Sequence, residues 1–146
     1  MRRNSGMSLV ELLVVLAVMG IAVAASALYL RPMEAPLQTA ATELEGFFRE
    51  VRGRALATTS AYRVAAVTPE TARAEFAANC AASTWTTDPE LELELPSEVA
   101  MADDTWAVCF NSRGLADINL VVDLDHDRSG TLQVEVLRGG ASRVVP

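Results

Sequence analysis

A chain of 146 residues leaves room for one long helical segment and one small globular domain, and a formal net charge of −7 argues against a generally basic nucleic-acid-binding surface. Two cysteines and a single histidine are too few ligands for a zinc site of Cys and His. The hydrophobic content of 51% is inflated by one apolar run and by alanine, so it does not signal an unusually large core.

The chain opens with MRRNSG, which holds two arginines and no acid, and passes through Met7, Ser8, Leu9, Val10 and Glu11 into a charge-free stretch from Leu12 to Leu30. At about 1.5 Å of rise per residue that stretch is roughly 28 Å long as a helix, which matches the ~30 Å hydrocarbon core of a bilayer. A secretory signal peptide has a shorter apolar region, about 7–15 residues, ending at a small-residue cleavage site. A plain membrane anchor explains the length and, by the positive-inside rule, the arginines. It leaves Glu11 unexplained, because a carboxylate near the bilayer centre costs on the order of 2.5–3.5 kcal/mol on insertion scales.

One arrangement uses all of these residues. Gly6, then Met7, Ser8, Leu9, Val10 and Glu11, then the apolar helix, resembles the class III leader of type IV pilins and pseudopilins. The resemblance implies that a membrane-embedded prepilin peptidase cuts after Gly6 and methylates the new N-terminus, so that the mature chain starts at Met7 with Glu11 at its fifth position. The chain departs from the family at Met7, where phenylalanine is usual. With the leader gone, the amine of Met7 is a fixed positive charge, and Glu11 is available to a neighbouring subunit's amine when helices stagger. In a low-dielectric bundle such a pair offsets the desolvation of both charges only when both are present. Glu11 is therefore expected to set assembly register.

Beyond Leu30, Pro32 and Pro36 predict that the long helix bends or breaks. From Leu37 the spacing is amphipathic: Leu37, Ala40, Ala41, Leu44, Phe47, Phe48, Val51, Ala55 and Leu56 fall on one side, and Glu43, Glu45, Arg49, Glu50, Arg52 and Arg54 face away. Phe47 and Phe48 read as core residues, and Glu45/Arg49 and Glu50/Arg54 as i,i+4 ion pairs worth a few tenths of a kcal/mol each.

From Ala61 the pattern changes to short runs divided by turn residues. Strands are predicted at 62–67, 71–76, 91–95, 106–110, 118–124, 131–137 and 143–145. The strict alternation of Leu91-Glu92-Leu93-Glu94-Leu95 gives one dry and one acidic face, which suggests an antiparallel sheet with the amphipathic helix on one side. Residues 77–88 have no clear period and read as a loop. In an oxidising compartment Cys80 and Cys109 read as a disulfide fixing that loop to the sheet, the alternative being two separate buried thiols.

The run Ala107-Val108-Cys109-Phe110-Asn111-Ser112-Arg113-Gly114-Leu115-Ala116, followed by a hairpin and a glycine-containing terminal turn and strand, resembles the C-terminal part of the general secretion H and fimbrial T group of minor pseudopilins and pilins. That resemblance covers about the last forty residues. It implies an apolar strand leading into a turn, after which two or three strands close the domain.

Two further clusters are candidate sites. Asp123, Asp125 and Asp127 occupy alternate positions, like the opening of a calcium loop. The sixth position is Arg128 in place of Gly and the twelfth is Val134 in place of Glu, so a polar hairpin turn closed by Gly130 is the preferred reading. Arg138 and Arg143 flank a flexible basic segment that could contact phosphates, and the fimbrial T resemblance brings DNA capture with it. Two charges are few for such a footprint, and a glycine hairpin with exposed arginines accounts for them. No nucleophile, base and orienting group can be assembled, His126 has no motif around it, and no cofactor is implied.

The expectation is an α+β subunit: a leader at 1–6, a transmembrane and filament-core helix at 7–30, an amphipathic helix at 31–58 and a β-rich head at 59–146. It would sit in the inner membrane with its head in the periplasm, as a minor pilin or pseudopilin of a type IV pilus or type II secretion pseudopilus. Its partners would be other pilins, the prepilin peptidase and an inner-membrane assembly platform. A DNA-binding minor pilin of the competence machinery is the alternative, and a monotopic sensor or lipid-anchored periplasmic domain would show no processing at Gly6.

Overall fold

The computed structural model describes the backbone of residues 9–29 and 35–145, and the side chains of 9–22 and 36–145. The chain divides into two compact units, Met1–Met33 and Glu34–Pro146.

The first unit contributes helix α1, Leu9–Tyr29, whose only charged residue is Glu11 in its first turn. An acid there complements the positive end of the helix dipole. Apart from it, every described side chain from Leu9 to Ala22 is non-polar or glycine and exposed, so over these residues the helix is apolar all round. Among the described residues no helix is long and apolar enough to cross a membrane. The described side chains of α1 end at Ala22, whereas the apolar run of the sequence continues to Leu30.

The second unit begins with α2, Ala35–Thr58. Pro36 lies in its first turn, where the missing N–H would have had no partner, so this proline opens a helix where a break was expected. Pro32 lies outside the described residues. Leu37, Ala40, Ala41, Leu44, Phe47, Phe48, Val51 and Ala55 are all buried, as the spacing predicts. Leu56 is not: it is 46% exposed on the flank of that stripe. Arg49 pairs with Glu45 at 2.6 Å, as expected. The expected Glu50/Arg54 pair is replaced by one across the fold, since Arg54 Nη2 reaches Glu90 Oε2 at 2.9 Å, and the Glu90 hydrogen bond holds the guanidinium above its ordinary pKa.

Eight strands follow: β1 Ala61–Thr68, β2 Thr71–Ala77, β3 Thr86–Glu94, β4 Val99–Met101, β5 Ala107–Phe110, β6 Leu120–His126, β7 Gly130–Val136 and β8 Ser142–Val145. They form two antiparallel four-stranded sheets, β3-β2-β1-β5 and β4-β6-β7-β8, where one sheet was suggested by the sequence. α2 packs against strands of both. Tyr62, Val64, Ala72, Ala74, Leu91, Val108 and Phe110 from the first sheet join Val99, Met101, Leu120, Val122, Leu124, Val134 and Val136 from the second in one core under the helix. Each large apolar side chain fully buried there contributes about 1.5–3 kcal/mol relative to exposure. Phe48 of α2 meets Trp106 with ring centroids 5.8 Å apart.

Two departures from the predicted strands have local causes. β3 starts at Thr86, five residues ahead of the alternating run, because an edge strand tolerates Pro89 and a register shift opposite Ala74 takes up the irregular segment. Within that segment Asp88 is buried, accepts from the Tyr62 hydroxyl at 3.3 Å and, together with burial as the larger cause, raises the Tyr62 pKa. β4 is three residues long, too short for any period to register.

Candidate functional site

Gly6 and Met7 lie outside the described residues, and Glu11 stands exposed on the first turn of α1. The chemistry-bearing residues of the head fall in three places.

The first is the outer face of the β3-β2-β1-β5 sheet. Period-two alternation puts Arg63, Glu75 and Cys109 on the side away from α2, and the strand register lines them up, with Arg63 opposite both Glu75 and Cys109. Cys80 and Cys109 form a disulfide with their Cα atoms 5.8 Å apart, which ties the loop between β2 and β3 onto this face. Trp85 from the same loop lies over Arg63, whose guanidinium carbon is 4.5 Å from the ring centroid. Arg63 is also paired with Glu75, its Nε 3.2 Å from Oε2, and Arg73 reaches the other carboxylate oxygen at 3.3 Å. The covering loop explains why Glu75 and Cys109 are buried on a face that the alternation alone would leave wet. Between loop and sheet is a cavity of about 260 Å³ lined by Arg63, Cys80, Trp85, Ala107, Cys109 and Asp117.

The disulfide closes 29 residues of chain, so removing it with Cys80→Ser and Cys109→Ser is expected to cost roughly 3–4 kcal/mol by loop-closure entropy. Urea unfolding of the variant against wild type measures this. An unchanged midpoint would mean that the loop is held by the Arg63–Trp85 contact and needs no covalent tie.

The second place is the β6–β7 hairpin. Asp123 and Asp125 stand exposed on the outer face of β6, and Asp127 lies in the turn. Asp123 Oδ1 accepts from Gln133 Nε2 at 2.7 Å across the ladder. Gly130, at φ +84, ends the turn in the left-handed conformation. Buried His126 accepts the backbone N–H groups of Arg128 and Ser129 on Nδ1, each at 3.1 Å, so in the neutral ring its proton sits on Nε2, 3.5 Å from Glu98 Oε2. That tautomer ties the imidazole to the turn and leaves neither nitrogen as a ready metal ligand. Among the described residues no group of three or more His, Cys, Asp or Glu is placed to hold a metal ion.

The third is the C-terminal basic segment. Arg143 is exposed, like Arg138, but it is paired. It lies opposite Glu135 in the β7–β8 register and donates to Glu135 Oε2 from Nε at 2.7 Å and Nη2 at 2.6 Å. Arg138 is exposed, its backbone N–H held by Asn119 Oδ1 at 2.8 Å. The structure therefore commits one of the two arginines that the sequence suggested as a pair to a carboxylate of the head. It brings Arg138 near another turn, Asn111–Gly114, through the bond from Ala116 N to Arg138 O at 3.1 Å. Sequence reasoning missed that neighbour because the two segments are distant along the chain.

Residues 1–27 match the prokaryotic N-terminal methylation motif. No curated protein matches the chain. Two crystal structures of the type IV minor pilin FimU from Pseudomonas aeruginosa, in space groups P21 and P65, superpose with TM-scores of 0.60 and 0.58 at 15% identity. Each match covers 75% of this chain, and 88% and 93% respectively of the FimU chains. At that identity the likeness speaks for the fold, and the motif speaks separately for the N-terminus. The chain thus joins a prokaryotic N-terminal methylation motif to an α+β fold like that of the type IV minor pilin FimU.

Proposed function

We propose that the chain is a minor pilin, a structural and non-enzymatic subunit that adds to, primes or caps a type IV pilus. The observation that carries this reading is the conjunction of an N-terminal methylation motif with a pilin fold in one chain. In this reading the leader 1–6 is cut at Gly6/Met7 and the new amine is methylated. The apolar helix holds the subunit in the inner membrane, with the head in the periplasm, until burial of its surface against like helices drives assembly. A pilus is preferred over a type II secretion pseudopilus because the solved structures of like fold are of a type IV minor pilin. The DNA-binding competence reading loses support at the one pair of residues proposed for it, since Arg143 already spends its charge on Glu135.

Intact-mass measurement of the protein purified from its own host tests the proposal. The expected mass lacks residues 1–6, carries one added methyl group and lacks two hydrogens for the disulfide. A functional protein that keeps residues 1–6 would overturn it.

A further inference from the structure

Residues 78–85 link β2 to β3 and are tied onto the outer face of the first sheet. Backbone hydrogen bonds of this loop close within it: Ala81 N donates to Asn79 Oδ1 at 2.9 Å and Ala82 N to Asn79 O at 3.2 Å. Two ties fasten it to the sheet, the Cys80–Cys109 disulfide and the Trp85 ring over the Arg63 guanidinium. The sheet beneath has its own support, because β1 is laddered to β2 on one side and to β5 on the other. Such a loop can lift as a local unit, at a cost well below that of global unfolding.

The two sulfurs are not equally placed. Cys109 on β5 is 3% exposed, whereas Cys80 is half-buried in the loop, and both line the open cavity of about 260 Å³ between loop and sheet. An incoming thiolate therefore meets Cys80 first. Arg63 stands directly opposite Cys109 in the β1–β5 register, and directly opposed side chains have Cβ atoms about 4.5–5.5 Å apart. Arg63 and Arg73 share the single carboxylate of Glu75, which leaves one positive charge over on this face. Asp117, which also lines the cavity, is exposed and accepts the Cys109 backbone N–H on Oδ1 at 2.9 Å, so solvent screens its charge. A cation beside a sulfur favours the thiolate, and a disulfide breaks faster when the sulfur that leaves is the more stable thiolate.

We infer that Cys80–Cys109 is a thiol-exchange site, opened by a dithiol protein of the thiol–disulfide oxidoreductase class, and that its reduction unlatches the 78–85 loop while both sheets stay paired. One thiolate of the dithiol attacks Cys80 Sγ, the S–S bond breaks, and its electron pair leaves on Cys109 Sγ as a thiolate facing Arg63. The partner's second thiolate then attacks its own sulfur in the mixed disulfide and releases Cys80 as a thiolate. The dithiol is oxidised to a disulfide, the disulfide of the head is reduced to two thiols, and the two protons lost by the dithiol are the two gained by the cysteines. Unlatched, the loop uncovers Glu75 and Arg63 and frees the Trp85 indole. The inference rests on the geometry of the head and not on the subunit role, and its failure would leave cleavage at Gly6/Met7 untouched.

The test uses the full-length chain in detergent with the bond intact, and dithiothreitol as the dithiol. Millimolar dithiothreitol is expected to reduce the native protein at a rate that sub-denaturing urea leaves unchanged, since a bond reached only through global unfolding breaks faster as urea rises. The far-UV circular dichroism is expected to stay native. Reduction is expected to change the tryptophan fluorescence, and Trp85→Phe to abolish that change, because it leaves Trp106 as the only tryptophan. Brief exposure to the monothiol glutathione, followed by acid quenching and peptide mapping, is expected to place the mixed disulfide on Cys80. In a Trp85→Ala background, where the stacking is absent throughout, Arg63→Gln is expected to slow reduction by at least roughly threefold and Arg63→Lys to restore it. Reduction that tracks urea, loss of the native spectrum, glutathione on Cys109, or an Arg63→Gln rate equal to that of its parent would each overturn the inference.

Discussion

Gly140→Ala is expected to destabilise the head by at least about 4 kcal/mol, in the range that only a few mechanisms reach. Gly140 is at φ +80 in the turn after β7, and a Cβ there would fall 1.9 Å from the carbonyl oxygen of Gly114 and 2.7 Å from Arg52 Nε. The arginine can swing aside. The carbonyl cannot, because Gly114 is itself fixed at φ +71, with its N–H given to Asn111 O at 2.8 Å and its oxygen bonded to Arg52. Two backbone turns thus meet with no room for a side chain, and total stabilities of about 5–15 kcal/mol leave little margin for prising them apart. Gly130→Ala is the control: φ is +84, but nothing lies within 4 Å of the added carbon, so only the left-handed penalty of roughly 1–2 kcal/mol applies. Urea midpoints for the two variants separate steric exclusion from backbone preference. Equal losses would show that the Gly114 contact contributes nothing.

That contact also shows where sequence reasoning stops. The buried face of α2 was legible because a 3.6-residue period reports a helix and its dry side together, and the alternation of Leu91 to Leu95 did the same for a strand. Period says which face of a strand is dry, but not which strand lies beside it. The partition into two sheets, the opposition of Glu135 to Arg143 and the meeting of Gly114 with Gly140 are all matters of register between distant segments. For that reason Arg143 read as a free cation in the sequence and is a paired one in the fold. The disulfide was legible from cysteine count and compartment. The burial of Glu75 beneath the loop it fastens was not, since an acid between Ala74 and Phe76 carries no local sign of what will cover it.

Glu11→Ala is expected to leave membrane insertion and leader removal intact while lowering incorporation into filaments by more than tenfold. Over its described side chains, 9–22, α1 exposes apolar surface on every side; in the proposed assembly it lies in lipid or against other helices, where a carboxylate costs up to about 2.5–3.5 kcal/mol, the value for an acid at the bilayer centre. Alanine removes the cost, so insertion should be as good or better. What it also removes is the anion that, in the proposed assembly, an adjoining subunit's free amine would meet. Breaking a buried pair by deleting one partner typically costs about 3–5 kcal/mol, because the other charge is left uncompensated. At about 1.4 kcal/mol per tenfold, that is ample for the predicted loss. Glu11→Gln sharpens the test, since it keeps the shape and a hydrogen-bonding oxygen but not the charge. If charge neutralisation is the mechanism, Gln should fail as Ala does, whereas a polar contact alone would let Gln assemble. Sheared filaments holding wild-type amounts of the Ala variant would leave Glu11 with no part in assembly, even if Gly6/Met7 cleavage proceeded normally.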